Sequence, residues 1–161
     1  MTDVAAAPKG AKNPEVTSGV AQYLTPVVID LSALALEGKQ AHWHVRGSNF
    51  LPVHELLDTL VDHARASADQ AAERVAALGL PLDARTATVA QMTAVPAVSS
   101  GFQITDVLIA DIIAGIDATL VGLRAAIEGL EDLDPVSQDI AIEITNGLEQ
   151  DRWFLFSHIA E

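Results

Sequence analysis

A chain of 161 residues suits one domain, and with half of its residues apolar, 4% aromatic and few strand-favouring runs, its burial falls to helices. Zero cysteines remove disulfides, thiolate zinc sites and cysteine-held iron–sulfur clusters, so any metal must be held by carboxylate and imidazole. Nine Lys and Arg against 22 Asp and Glu leave a net charge of −13, which repels nucleic-acid phosphate and attracts cations.

The stretch from Met1 to Gly10 has neither the basic start nor the apolar run of a signal peptide, so a cytoplasmic location is expected. No run approaches the roughly 20 consecutive apolar residues of a membrane span; the uncharged span 86–105 is broken by Pro, Gly, Ser, Thr and Gln. Residues 1–14, rich in Ala, Pro, Gly and Lys, read as a flexible tail, in which Lys9 and Lys12 against Asp3 are too few for a basic arm. Residues 15–161 form the domain.

The first helical pattern covers Glu15 to His44, with Val20, Leu24, Val27, Leu31 and Leu34 in steps of three and four. Pro26 interrupts it. One helix with a disturbance near residue 25 is expected, the alternative being a fresh start capped by Thr25. After a Gly-Ser-Asn turn, a second helix should run from Asn49 to Leu78, with Pro52 in its first turn and Gly79 ending it. Its apolar stripe is Val53, Leu57, Leu60, Val61, Ala64, Ala68, Val75 and Leu78. From Leu80 to Gly101 the signal weakens; Asp83 is placed to cap a short helix that stops before Val95-Pro96. A third long helix is expected over Thr105 to Glu131, with Leu108, Ile112, Ile116, Leu120, Leu123 and Ile127 on one side. Asp134 as cap and Pro135 in the first helical position open a fourth, to Ile159. Four long helices with one crossover that carries a short extra helix make an all-α, ferritin-like four-helix bundle.

His54 and Asp58 are four apart on the second helix, as are Asp69 and Glu73. All four fall within about 100° of one face. His42 sits just upstream of the turn. Asp58 and Asp69 are separated by about 16 Å of helix, which no metal with bonds near 2 Å bridges. The residues therefore form two half-sites: His42, His54 and Asp58 at one end, Asp69 and Glu73 at the other. A two-fold axis that lays two such helices antiparallel completes two equivalent sites from one contact. The usual in-bundle di-iron signature, Glu-x-x-His, is absent from the sequence, which also favours a site between subunits. His44, His63 and His158 read as surface or satisfied core residues, and Asp62, on the acidic stripe, as a group supporting the ligands.

Between Gln40 and Gly79 the pattern H-W-x-x-R-G-x-N-F-x-x-x-H-E-x-x-D followed by D-x-x-A-E-R resembles the Dps proteins, the mini-ferritins also called DNA-binding proteins from starved cells. The resemblance extends in helix layout from about Tyr23 to Ile159. It implies a hollow dodecamer with ferroxidase sites, two irons each, at its two-fold interfaces. The ligands it implies are His42, His54 and Asp58 of one subunit with Asp69 and Glu73 of the next. It gives Trp43 a place beside the site, where it would absorb oxidising equivalents, and Asp134 and Asp139 places at three-fold acidic pores. The Lys/Arg-rich tail by which some members hold DNA has no counterpart here, so DNA binding is expected to be weak or absent. The expected activity is oxidation of Fe(II), preferably by hydrogen peroxide, with storage of ferric mineral in the cage. Two rivals are DNA protection by direct binding and a metal-dependent hydrolase that uses the same site to activate water.

Overall fold

A computed structural model describes residues 13–159. The tail expected over residues 1–14 lies outside the described residues as far as residue 12, with Lys9 and Lys12 in it. Asn13 caps the first helix: its side-chain oxygen accepts from the Glu15 amide at 3.1 Å, and Pro14 takes the first helical position.

Helix α1 (Pro14–His44) is a single helix through Pro26, which lies on its exposed side. A two-residue strand, β1 (Val45–Arg46), leads into the turn, where Gly47 has φ 125° and its carbonyl accepts from the Phe50 amide at 3.2 Å. A side chain there would be strained. Helix α2 (Phe50–Ala77) ends in a Schellman arrangement, with Gly79 at φ 92°, the Gly79 amide on the Ala76 carbonyl and the Leu80 amide on that of Val75.

The short helix in the crossover is α3 (Thr86–Met92). Asp83 does not cap it by its side chain as expected; its carboxylate is held by the Arg85 amide at 3.1 Å and the Arg85 guanidinium at 2.7 Å, so the helix opens beyond Arg85. A second two-residue strand, β2 (Gln103–Ile104), pairs in parallel with β1, Val45 opposite Gln103 and Arg46 opposite Ile104. Helices α4 (Thr105–Leu130) and α5 (Pro135–Phe156) complete the bundle. Asp134 caps α5 as expected, accepting from the Ser137 amide at 3.3 Å. The fourth helix stops short of Ile159, where His158 and Ile159 turn back on the carbonyls of Leu155 and Phe156 in tighter three-residue steps.

α1 packs most extensively on α2, and α4 on α5, while α1 with α4 and α2 with α5 close the bundle. The predicted stripes face inward: Leu24, Leu31, Leu57, Leu60, Ile112 and Leu123 are fully buried, each contributing about 1.5–3 kcal/mol of transfer free energy. By length and mean hydropathy α1 would also pass as a membrane span, but 56% of that window is buried inside the bundle, as a core helix requires. Three carboxylates moor the crossover. Asp30 accepts from the Thr93 hydroxyl and the Ala94 amide at 2.8 Å each, Glu37 from the Val98 amide at 2.9 Å, and Asp111 from the Ser99 amide at 2.8 Å. A segment with little regular structure thereby keeps its backbone donors satisfied.

Candidate functional site

The turn after α1 folds the start of α2 back on the end of α1, and this brings His42 and His54 face to face, rings stacked with centroids 3.6 Å apart. Each ring locks on the other residue's backbone. The His42 Nδ1 donates to the His54 carbonyl at 2.9 Å, and the His54 Nδ1 to the His42 carbonyl at 3.0 Å. A carbonyl only accepts, so each Nδ1 carries a proton, and Nε2 is the nitrogen of each ring left to ligate a metal. His42 is 7% exposed and Phe50 flanks His54 at 5.0 Å. The β1–β2 pairing steadies the same corner from the other side, with the Arg46 guanidinium over the Phe102 ring at 3.3 Å.

One turn along α2, the Asp58 carboxylate stands 3.5 Å from the His42 Nδ1. Lys39, one turn back on α1, donates to that carboxylate, and this hydrogen bond, with the nearby histidines adding to it, holds Asp58 below the usual carboxylate range. The sequence does not single out Lys39. Its spacing from His42, one turn along α1, was the available signal; that the turn would carry it over to Asp58 was not legible.

Asp69 and Glu73 are exposed on the same face of α2, beyond the reach of Asp58. Neither makes a hydrogen bond or ion pair with the described residues. Asp69 borders an open groove of about 410 Å³ between α1, α2 and α3, lined also by Leu36, Arg65, Ala72 and Val89. Within one chain, no group of three or more His, Asp or Glu among the described residues is gathered to hold a metal ion. The structure thus makes His42 a neighbour of both His54 and Asp58 without gathering the three around one point, and it leaves Asp69 and Glu73 apart.

Trp43 is 61% exposed and borders a groove with Leu36, Lys39, Gln40 and Arg65. His44 donates from its Nδ1 to the Gln40 carbonyl at 2.9 Å, and His158 is half-buried in the final turn. His63 is engaged across the bundle: its Nδ1 stands 3.0 Å from both carboxylate oxygens of Asp151, which is 5% exposed. Burial pushes the Asp151 carboxyl up, and the His63 hydrogen bond only partly offsets that. Asp151 is not legible in the sequence, because a lone acid on a helix signals nothing until its burial is known. Of the two acids expected at a pore, Asp134 is 2% exposed and paired with Arg74 at 2.5 Å and the Ser137 hydroxyl at 2.5 Å, while Asp139 is exposed one turn further on.

Residues 22–161 match the family model of the ferritin-like domain. The chain is 35% identical over 147 residues to the DNA protection during starvation protein of Mycolicibacterium smegmatis, covering 88% of this chain and 78% of that one. It is 33% identical to the protein of that name from Agrobacterium fabrum, over 96% and 93% of the two chains. The solved structure of Dps from Microbacterium arborescens in the high iron form superposes with a TM-score of 0.89 at 54% identity, covering 94% of this chain and 99% of that one. With this helix layout and this identity over nearly the whole length, the chain belongs to the Dps family of ferritin-like proteins.

Proposed function

We propose that the protein oxidises Fe(II) with hydrogen peroxide at sites built between two subunits, and stores the ferric product in a hollow, dodecameric cage in the cytoplasm. The supporting observation is the split ligand set. Two imidazoles whose Nδ1 atoms are tied to backbone carbonyls stand with Asp58 at one end, while Asp69 and Glu73 stand bare further along the same helix face. Two copies laid antiparallel bring one half of each against the other half of its partner. Imidazole with hard carboxylate oxygens suits Fe(II), the substrate. Two irons at one site supply both electrons at once: two Fe(II), one peroxide and two protons give two Fe(III) and two waters, with no one-electron step to hydroxyl radical. Trp43, exposed next to His42, is placed to intercept stray oxidising equivalents. Acids carry Fe(II) toward the cavity. The burial of Asp134 and its pairing with Arg74 and Ser137 leave Asp139 as the better pore residue.

The test uses two variants, one lacking His42, His54 and Asp58, the other lacking Asp69 and Glu73. Each alone has only broken sites. Refolded together at equal amounts, about half of the two-fold pairs are mixed, and each mixed pair has one intact site of two, so recovery should approach about a quarter of wild-type oxidation. Co-assembled particles shown by mass to contain both variants, yet inactive, would overturn the intersubunit site.

A further inference from the structure

The face of α2 that carries the ligands also carries two charges with no counterpart among the described residues of their own chain. On a helix advancing 100° per residue, Arg65 lies about 20° and Asp62 about 80° round from His54, inside the arc that spans the four ligands of α2. Both are exposed, and neither forms a hydrogen bond or ion pair with the described residues. They are one turn apart, yet they do not pair with each other. Arg65 borders both open grooves on this side, and exposed Leu36 (58%) borders both with it.

We propose that Asp62 and Arg65 set the register of the two-fold contact that completes the iron site, each Asp62 pairing with Arg65 of the partner subunit. This rests on the intersubunit reading above. That reading lays His54 level with the partner's Glu73, and Asp58 level with the partner's Asp69. One turn inward from Asp58 is Asp62, and one turn inward from Asp69 is Arg65, so the same register lays Asp62 against the partner's Arg65. The axis then passes between the two residues, and two acids and two bases alternate about it. The arrangement is self-complementary only in this register. A slip of three residues along α2 sets Asp62 against Asp62 or Arg65 against Arg65, while it also parts the half-sites. Leu36 and Trp43, both more than half exposed beside Arg65, would exclude water from the pairs once the second copy docks, which strengthens them relative to a solvated surface pair. The two residues position the ligands and do not touch iron.

Charge exchange tests this. Asp62→Arg leaves only bases at the axis and Arg65→Asp only acids, so at low salt each variant should associate through this interface at least tenfold more weakly than wild type. The double variant Asp62→Arg/Arg65→Asp restores alternation and should associate to within about threefold of wild type. Mixing the two single variants should give heterodimers well above the statistical half by native mass spectrometry, because every contact across the axis is then acid to base. Single variants that associate as wild type, a double variant no better than either, or a mixture that stays statistical or fails to associate would each overturn the proposal. The half-site complementation described above keeps Asp62 and Arg65 intact. Recovery there with flat charge exchange refutes the register pairs alone; biased heterodimers with no recovery of oxidation refute the site alone.

Discussion

Lys39 occupies the carboxylate that the proposed site would offer to Fe(II). Lys39→Gln removes this competitor and should tighten Fe(II) binding several-fold in anaerobic titration; unchanged binding would show that Lys39 does not compete, and weaker binding that the ammonium helps to hold the site. Asp151 supplies a test of pH dependence. Its carboxyl is pushed up by burial, so between its unfolded and folded pKa values the native state binds more protons than the unfolded chain. The sign follows: this group's contribution is fully favourable below the ordinary range and is lost as pH rises through the raised value. Wild type should therefore gain stability relative to Asp151→Asn as the pH falls from neutral, by at most about 1.4 kcal/mol per pH unit, and the gain should level off once both states are protonated. Paired denaturant melts across that range measure the difference. A difference that shrinks toward low pH would contradict the burial argument.

Between helices, Gly129 near the end of α4 lies tight against the Tyr23 ring of α1. A Cβ at Gly129 would lie 2.1 Å from Cζ of Tyr23 and 2.5 Å from its hydroxyl oxygen, so a side chain there displaces the ring or parts the helices. Gly129→Ala should cost about 1–3 kcal/mol despite the better helix propensity of Ala, and Gly129→Ala with Tyr23→Ala should recover part of the strain component. Gly147, where a Cβ meets nothing within 4 Å, is the control: Gly147→Ala should be neutral or stabilising. Thermal melts of the four proteins compare them. The crossover depends on acids rather than on periodicity. Asp30 on α1 serves both the Thr93 hydroxyl and the Ala94 amide, so the segment's path is fixed from below by a helix laid down about 60 residues earlier.

Over the whole molecule, 22 acids against nine bases leave few cations for phosphate, and several are committed: Arg74 to Asp134, Arg152 to Asp117, Arg124 to Glu149, Lys39 to Asp58. Affinity for duplex DNA at physiological salt should be negligible, and deleting residues 1–12 should leave it so. A gel shift with tight binding that weakens steeply as salt rises would show a cluster of phosphate contacts and revive the DNA-binding alternative.

The sequence by itself determined the helices, their inward faces and the types of the candidate ligands. Those follow from periodicity, caps such as Asp134 and Pro135, the glycines at 47 and 79, and the spacing of His54, Asp58, Asp69 and Glu73, all of which act over a few residues of one chain. The tertiary structure decided what depends on residues far apart in sequence. The β1–β2 pairing is too short for any alternation to announce it, and the acids that hold the crossover come from helices on either side of it. Asp83 pairs with Arg85 in place of capping, because a guanidinium two residues on offers a charged fork that competes with the helix amides. The reciprocal hydrogen bonds of His42 and His54 are likewise a product of the fold. Histidine at that spacing is written in the sequence, but which nitrogen is free is settled only when each Nδ1 meets the other residue's carbonyl.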